Sequence, residues 1–354
     1  MQQNFHAPTD RAGFSLLELL VAFAVLALLM VLLAEVVSAT ASTWRSTRGK
    51  VEQAQQAREA FEAVISRLSE ATLNTHYEYE DKDGMLKTPT NSRTFQPSRY
   101  ARQSELRFLS GPGITGAVNR VTHAVFFQAP AGESRDGRTL QNLLNTFGFF
   151  VELGDDAPFL PPLLRTAHAR ERFRLLQFTE PTESLSVYRW TGANPLDRGI
   201  EWFQESLATG SGLSIVADNV IALVLLPMLS PQDQKAGGYS DTSLAPQYLY
   251  DSTGSNSVSA LNPRHQLPPV VQVTLIALDE ASAARMTGED RAALKSLLET
   301  LFVSAGNTAD PLQPGYAHDL KSLEDFLNTR RLNYRVFQSN VPIKTAKWSR
   351  EQKN

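Results

Sequence analysis

The chain has 354 residues, 42% hydrophobic and 20% charged, with 34 lysines and arginines against 37 acids for a net charge of −3. At about 150 residues per domain this length fits two domains, or one large domain with a long appendage, and a core can be buried without staples. No cysteine is present, which excludes disulfides, zinc–thiolate sites, iron–sulfur clusters and thiol nucleophiles. The balanced charge leaves no electrostatic footprint for nucleic acid.

Taken in chain order, the first element is the most informative. Residues 14–37 read FSLLELLVAFAVLALLMVLLAEVV, and no polar side chain occurs from Leu19 to Ala34. As a helix this segment would extend about 36 Å, enough to cross a hydrocarbon core of about 30 Å. Leu, Ala and Met dominate and no Gly or Pro interrupts the run, so a membrane helix is predicted. Glu18 lies inside it, four residues from its start. An unpaired carboxylate there costs several kcal/mol in lipid and marks a functional residue. The nearest cation is Arg11, beyond Gly13. Glu35, at the far end, falls where the helix leaves the bilayer.

The stretch Arg11-Ala12-Gly13-Phe14-Ser15-Leu16-Leu17-Glu18-Leu19-Leu20 resembles the class III signal of type IV pilins and pseudopilins. The resemblance implies a polar leader, residues 1–13, cut by prepilin peptidase between Gly13 and Phe14 on the cytoplasmic side. Phe14 would then be N-methylated, and Glu18 would be the fifth residue of the mature chain. It also implies a partner for the carboxylate: the α-amino group of Phe14, in the same or a neighbouring subunit, during filament assembly. Two other readings stand beside it. Ala39-Thr40-Ala41 could serve a conventional signal peptidase with release at Ser42, although the apolar run is long for a signal peptide. The segment could also be the uncleaved anchor of another periplasmic protein.

Beyond the bilayer, Val51, Ala54, Arg58, Phe61, Ile65, Leu68 and Thr72 recur at helical spacing, so the helix is expected to continue through 38–73 with a bend at Gly49. Residues 74–102 read as a loop, a short hairpin, or both. Asp81-Lys82-Asp83-Gly84 there fails the calcium-loop ligand ladder and fits a turn with Gly84 at positive φ. Strands are predicted at 105–109, 121–128, 147–153, 172–178, 185–190, 215–226 and 270–278, with a closing strand at 334–337. Helices are predicted at 138–145, 201–208, 289–302 and 320–329. Residues 230–268, rich in Ser, Gly, Asn and Pro, read as a long surface excursion, and 344–353 as a basic tail. The expected fold is α+β: a long N-terminal pilin helix, transmembrane in its first half, packed on an antiparallel β-sheet domain, 74–354, with extra helices. Leu106–Ser110, Val216–Val220, Leu267–Leu275 and Tyr334–Phe337 are similar to strands of J-type minor pseudopilins, and the size and layout resemble the Verru/Chthon cassette protein C family.

No catalytic constellation emerges. The six histidines, His6, His76, His123, His168, His265 and His318, make neither H-x-x-x-H nor H-E-x-x-H, so no metal site is expected. The Gly111–Gly116 segment has Walker-like spacing but is followed by Ala117 and reads as a turn. Glu78, Glu80, Asp81 and Asp83 form an acidic cluster that fits a solvated face better than a hydrolase centre. Arg170, Arg172 and Arg174 alternate along a predicted strand and could meet an anionic partner, but read first as a solvated face.

The expectation is therefore a non-enzymatic minor subunit without cofactor. Its partners would be prepilin peptidase, other pilin or pseudopilin subunits and inner-membrane lipid, and no nucleic acid. It would be a single-pass protein of the inner membrane, N-terminus cytoplasmic and globular part periplasmic, serving a type II secretion or type IV pilus-like machine. Its size suggests a tip or priming role, although Glu18 argues against the family's acid-lacking tip type. The alternative is a membrane-anchored periplasmic binding module that never enters a filament, told apart by whether it co-purifies with other pilin-like subunits.

Overall fold

The computed structural model describes residues 15–135, 142–161, 163, 170–188, 201–237, 244–254, 262–304 and 315–348. They fall into two units that meet between Glu52 and Gln53. Helix α1 (Leu16–Ser69) supplies the described part of the first unit and opens the second. Its 54 residues contain no proline, so nothing removes a backbone donor along its length. Gly49 lies within the helix.

The second unit is α+β, with every strand pair antiparallel. A ribbon of β1 (His76–Glu80) and β2 (Arg99–Gln103) fills part of the stretch read as loop or hairpin. Strands β3 (Leu109–Pro112), β4 (Arg120–Pro130), β5 (Leu144–Asp155), β6 (Glu171–Glu180), β7 (Leu213–Asp218) and β9 (Tyr250–Asp251) make a six-stranded sheet in the order β7-β6-β5-β4-β3-β9. Strands β8 (Val220–Met228), β10 (Val270–Leu278) and β11 (Tyr334–Pro342) make a three-stranded sheet in the order β11-β10-β8. Helices α2 (Glu201–Thr209), α3 (Pro231–Gly237), α4 (Glu280–Arg285), α5 (Gly288–Leu298) and α6 (Tyr316–Thr329) complete it.

The six-stranded sheet is covered on both faces. Val125, Phe127, Phe147, Phe149, Val151 and Leu175 join one large core with Ala57, Ala60, Phe61, Val64 and Leu68 of α1. The alternate residues Phe126, Phe150 and Phe178 meet Phe203 and Leu207 of α2 in a second core. Burial on both faces is why these strands read as nearly unbroken apolar runs rather than clean alternation. In the second core the rings of Phe126 and Phe203 stack at 3.7 Å, over Gly148. A Cβ at Gly148 would come within 2.4 Å of the Phe126 ring and 3.2 Å of Phe178 Cβ. Gly148→Ala is therefore expected to destabilise the fold by about 2 kcal/mol through overpacking, read from the urea midpoint of the detergent-solubilised protein.

Several expected elements take another form, some because a side chain replaces a backbone partner. Residues 105–108 are not strand. Asn74 Oδ1 accepts the Glu105 and Leu106 N–H groups at 3.0 and 3.1 Å, and Gln128 Oε1 accepts Arg107 N–H at 2.9 Å. The described part of 185–190 is a 3-10 turn, Ser186–Tyr188, beside the Glu180 carboxylate, which accepts the Ser186 hydroxyl at 2.8 Å. The helix expected at 138–145 gives way to β5, which begins at Leu144; residues 138–141 lie outside the described part. Asn145 there pairs its amide with the Glu133 backbone at 3.0 and 2.7 Å, as a strand residue would. The single strand expected over 215–226 breaks at Asn219, φ 59°. Its N–H donates to Phe173 O at 2.7 Å while its carbonyl accepts Leu278 N–H at 2.9 Å, so β7 and β8 part into different sheets. The 289–302 helix ends at Leu298.

The surface excursion is corrected most. Leu244, Ala245, Tyr248, Tyr250 and Leu267 are buried in the main core, and β9 completes the larger sheet. Arg107 and Asp251, both buried, form an ion pair beneath it.

Candidate processing and assembly site

Ser15 and Glu18 open α1 with reciprocal hydrogen bonds. Ser15 N–H donates to Glu18 Oε2 at 3.0 Å, and Glu18 N–H donates to Ser15 Oγ at 3.2 Å. The first intrahelical bond follows, Leu19 N–H to Ser15 O at 3.2 Å. This is a capping box, in which N-cap serine and N3 glutamate each satisfy an otherwise orphan donor. The carboxylate also faces the positive end of the helix dipole. Spacing alone left Glu18 with no partner within a turn. The structure supplies one from the backbone, and S-x-x-E was the signal that could have shown it. Gly13 and Phe14 lie outside the described residues.

From this cap runs an apolar stretch, Leu16–Ala41, whose 26 residues are long and apolar enough to cross a membrane. It ends four residues beyond the limit expected at Val37. Within it Thr40 Oγ1 donates to Val36 O at 2.7 Å, so that hydroxyl carries its own acceptor.

Residues 9–34 match the family model of the prokaryotic N-terminal methylation motif. The comparisons with curated proteins and with solved structures returned no match. The motif supports a type IV pilin-like protein, processed by prepilin peptidase and anchored in a membrane by its apolar helix. It implies assembly with other pilins and points to a structural subunit.

The remaining sequence candidates are taken up by the fold. Arg174 is buried, not on a solvated face, and lies 2.8 Å from Asp218 and 3.2 Å from Asp156. Arg172 holds Glu280 in a two-pronged pair at 2.8 and 2.7 Å. Burial pushes the Glu280 carboxyl up, but the hydrogen bonds from Arg172 and Asn219 prevail and hold it below the usual range. Arg170, just outside β6, gives its backbone N–H to Asp156 at 2.8 Å. Two of the three guanidinium groups thus serve as internal ties.

The acidic cluster is also dispersed. Glu80 is fully buried and bound by Arg99, Arg264 and Gln103 at 2.7, 2.8 and 2.6 Å. Asp81 Oδ1 accepts the Asp83 and Met85 N–H groups, both at 2.9 Å, in the turn where Gly84 has φ 78°. Gly113 and Gly116 likewise have positive φ in a turn after β3. His123 and His265 are buried, His76 and His318 exposed, and His6 and His168 lie outside the described residues. Among the described residues no three His, Asp or Glu groups gather as a metal cluster.

Among the described residues Glu180 is a buried acid with a raised pKa. Burial pushes its carboxyl up, and the Ser186, Thr146 and Ser206 hydroxyls pull it only part of the way back. The fold thus favours the protonated form, and the ionised form weighs against it once pH exceeds the folded value. Glu180→Gln is therefore expected to match or exceed the parent in urea resistance at neutral pH. That advantage should shrink as acid protonates the parent carboxyl.

Proposed function

We infer that this chain is a non-enzymatic, pilin-like minor subunit of a type II secretion or type IV pilus-like machine, of the pseudopilin kind. Its parts are a cytoplasmic leader, 1–13, a transmembrane helix, 14–37, the helix continuation, 38–73, and a periplasmic globular domain, 74–354. Prepilin peptidase cuts between Gly13 and Phe14, Phe14 is N-methylated, and Glu18 pairs with a Phe14 α-amino group as the subunit assembles. The observation that carries this reading is the methylation motif at residues 9–34, with a carboxylate four residues beyond the new terminus. The bulk of the globular unit favours a tip or priming position over the shaft, and its strands resemble those of J-type pseudopilins and the cassette protein C family.

The deciding experiment is the N-terminus of the mature protein, by intact mass and peptide sequencing. A start at methylated Phe14 is expected. A start at Ser42 would mean secretion by signal peptidase, and an intact Met1 a plain anchor; either overturns the reading.

A further inference from the structure

The β1–β2 ribbon buries one face and shows the other to solvent. On the inner face Glu80, Ala101 and Gln103 are buried, and Gln103 Nε2 donates to Glu80 at 2.6 Å. Residues directly opposite on paired strands share a face, and Tyr79 lies opposite Tyr100 while Tyr77 lies opposite Arg102. Tyr77, Tyr79 and Tyr100 are 51, 58 and 61% exposed. Their rings nevertheless meet: Tyr100 lies 5.5 Å from Tyr77, tilted by 25°, and 5.0 Å from Tyr79, tilted by 49°. Single exposed aromatics are ordinary, but three in contact form a patch of the kind that marks a binding surface.

Charge and area narrow what this face can take. The cations of β2 are engaged within the fold, Arg99 by Glu80 at 2.7 Å and Arg102 by Gln266 Oε1 at 2.7 Å and Lys347 O at 3.1 Å. Neither guanidinium is left to hold phosphates, so the face does not suit a nucleic-acid strand. The three rings expose about 400 Å² together, only about half of what a standard protein interface covers on each partner. They offer a continuous aromatic surface and three hydroxyls that bond no other described residue. A sugar ring is the complement of such a surface. Its C–H face is attracted to the negative π-face of an aromatic ring, and its hydroxyls can pair with the phenols.

We propose that Tyr77, Tyr79 and Tyr100 form a binding platform for an uncharged oligosaccharide, with Tyr100 at its centre. The platform belongs to the globular unit alone and stands whether or not the chain enters a filament.

The test titrates the full-length protein, in a detergent without a sugar headgroup, with maltohexaose, cellohexaose and chitohexaose. Calorimetry reads affinity, and proton spectra read the sugar. At least one hexasaccharide is expected to bind, with ring C–H resonances moved upfield by the aromatic faces and an affinity indifferent to salt. Tyr100→Ala should weaken binding about tenfold, whereas Tyr100→Phe, which keeps the ring, should weaken it less. Tyr77→Ala and Tyr79→Ala, at the ends of the run, should each weaken it several-fold and serve if Tyr100→Ala disturbs the ribbon. Failure of all three sugars to bind, binding that salt weakens, binding that survives removal of the three rings, or binding of oligothymidylate in place of sugar would overturn the platform.

Discussion

Gly13→Leu is expected to leave the chain uncut, whereas Glu18→Ala should be cut at the same bond and then fail to join other subunits. In the proposed pathway the two residues act at different steps. Glycine lets another backbone approach closely, which suits the residue ahead of a scissile bond, and a branched side chain there removes that access. In the proposed pathway Glu18 acts after cleavage, when Phe14 would have acquired an α-amino group. A carboxylate left unpaired beside an apolar run costs several kcal/mol, and breaking a buried charge pair costs about 3–5 kcal/mol, equal to a hundredfold loss of incorporation or more. The capping box complicates this, because Glu18→Ala also deprives Ser15 N–H of its acceptor. Glu18→Gln keeps an acceptor and loses the charge, while Ser15→Ala keeps the charge and loses the hydroxyl that receives Glu18 N–H. If charge drives assembly, Glu18→Gln should fail like Glu18→Ala, and Ser15→Ala should assemble nearly normally, since a lost cap costs only about 1 kcal/mol. The readouts are intact mass for cleavage and co-purification with other pilin-like subunits for assembly. Normal incorporation of Glu18→Gln would sink the pairing role.

The methylation motif at residues 9–34 and the apolar helix that follows were legible because they are local. Gly13, Phe14, Glu18 and an uninterrupted apolar helix lie within one continuous stretch, and the physical demands on it are stated by the order of residues alone. The central strands β4, β5, β6 and β10 were legible for a similar reason, their apolar runs being bounded by polar turns. What escaped was decided by side chains reaching across the fold. Asn74, Gln128 and Asn145 stand in for backbone partners, and no local pattern marks an amide that will do so. The arginine alternation covered Arg172 and Arg174 of β6 but not Arg170, which precedes the strand, and it did not show the burial of Arg174, because Asp156 and Asp218 arrive from other elements. Tyr248 and Tyr250 lie in a segment whose polar composition concealed two of the largest buried side chains.

Histidine 123 shows the same long-range logic and sets the clearest pH dependence. β4 carries a bulge between Val121 and Ala124, with Thr122 at φ 58°. The two bulge side chains reach the outer edge of β8: Leu223 N–H donates to Thr122 Oγ1 at 3.1 Å and Leu225 N–H to His123 Nδ1 at 2.9 Å. With Nδ1 accepting, Nε2 carries the proton and donates to Phe302 O at 2.7 Å. The neutral ring thus joins two sheets and the segment that follows α5, with the Tyr248 ring 4.6 Å away. Burial lowers its pKa to about 4, the Phe302 carbonyl opposing only in part. A proton added at Nδ1 would also face the Leu225 N–H.

In the unfolded chain the imidazole takes up its proton near pH 6.5, in the fold only near 4. Between those values the unfolded state binds more protons, so stability falls as pH falls. Above 6.5 the contribution is complete and flat. The whole loss is on the order of 3 kcal/mol. Glu280 and Asp290, held below their usual ranges, lose stabilisation only under their unfolded values of 4.5 and 3.8, while Glu180 acts with the opposite sign. Through the span from 6.5 to 4.5 Glu180 titrates in parent and variant alike, so the difference between the parent and His123→Gln isolates His123. Urea titrations of the detergent-solubilised protein should show His123→Gln less stable than the parent at pH 7, having lost the bond to Phe302, with the gap between them narrowing as pH falls through that span. A gap between parent and variant that stays constant through that span would show that the ring is not held neutral across the two sheets.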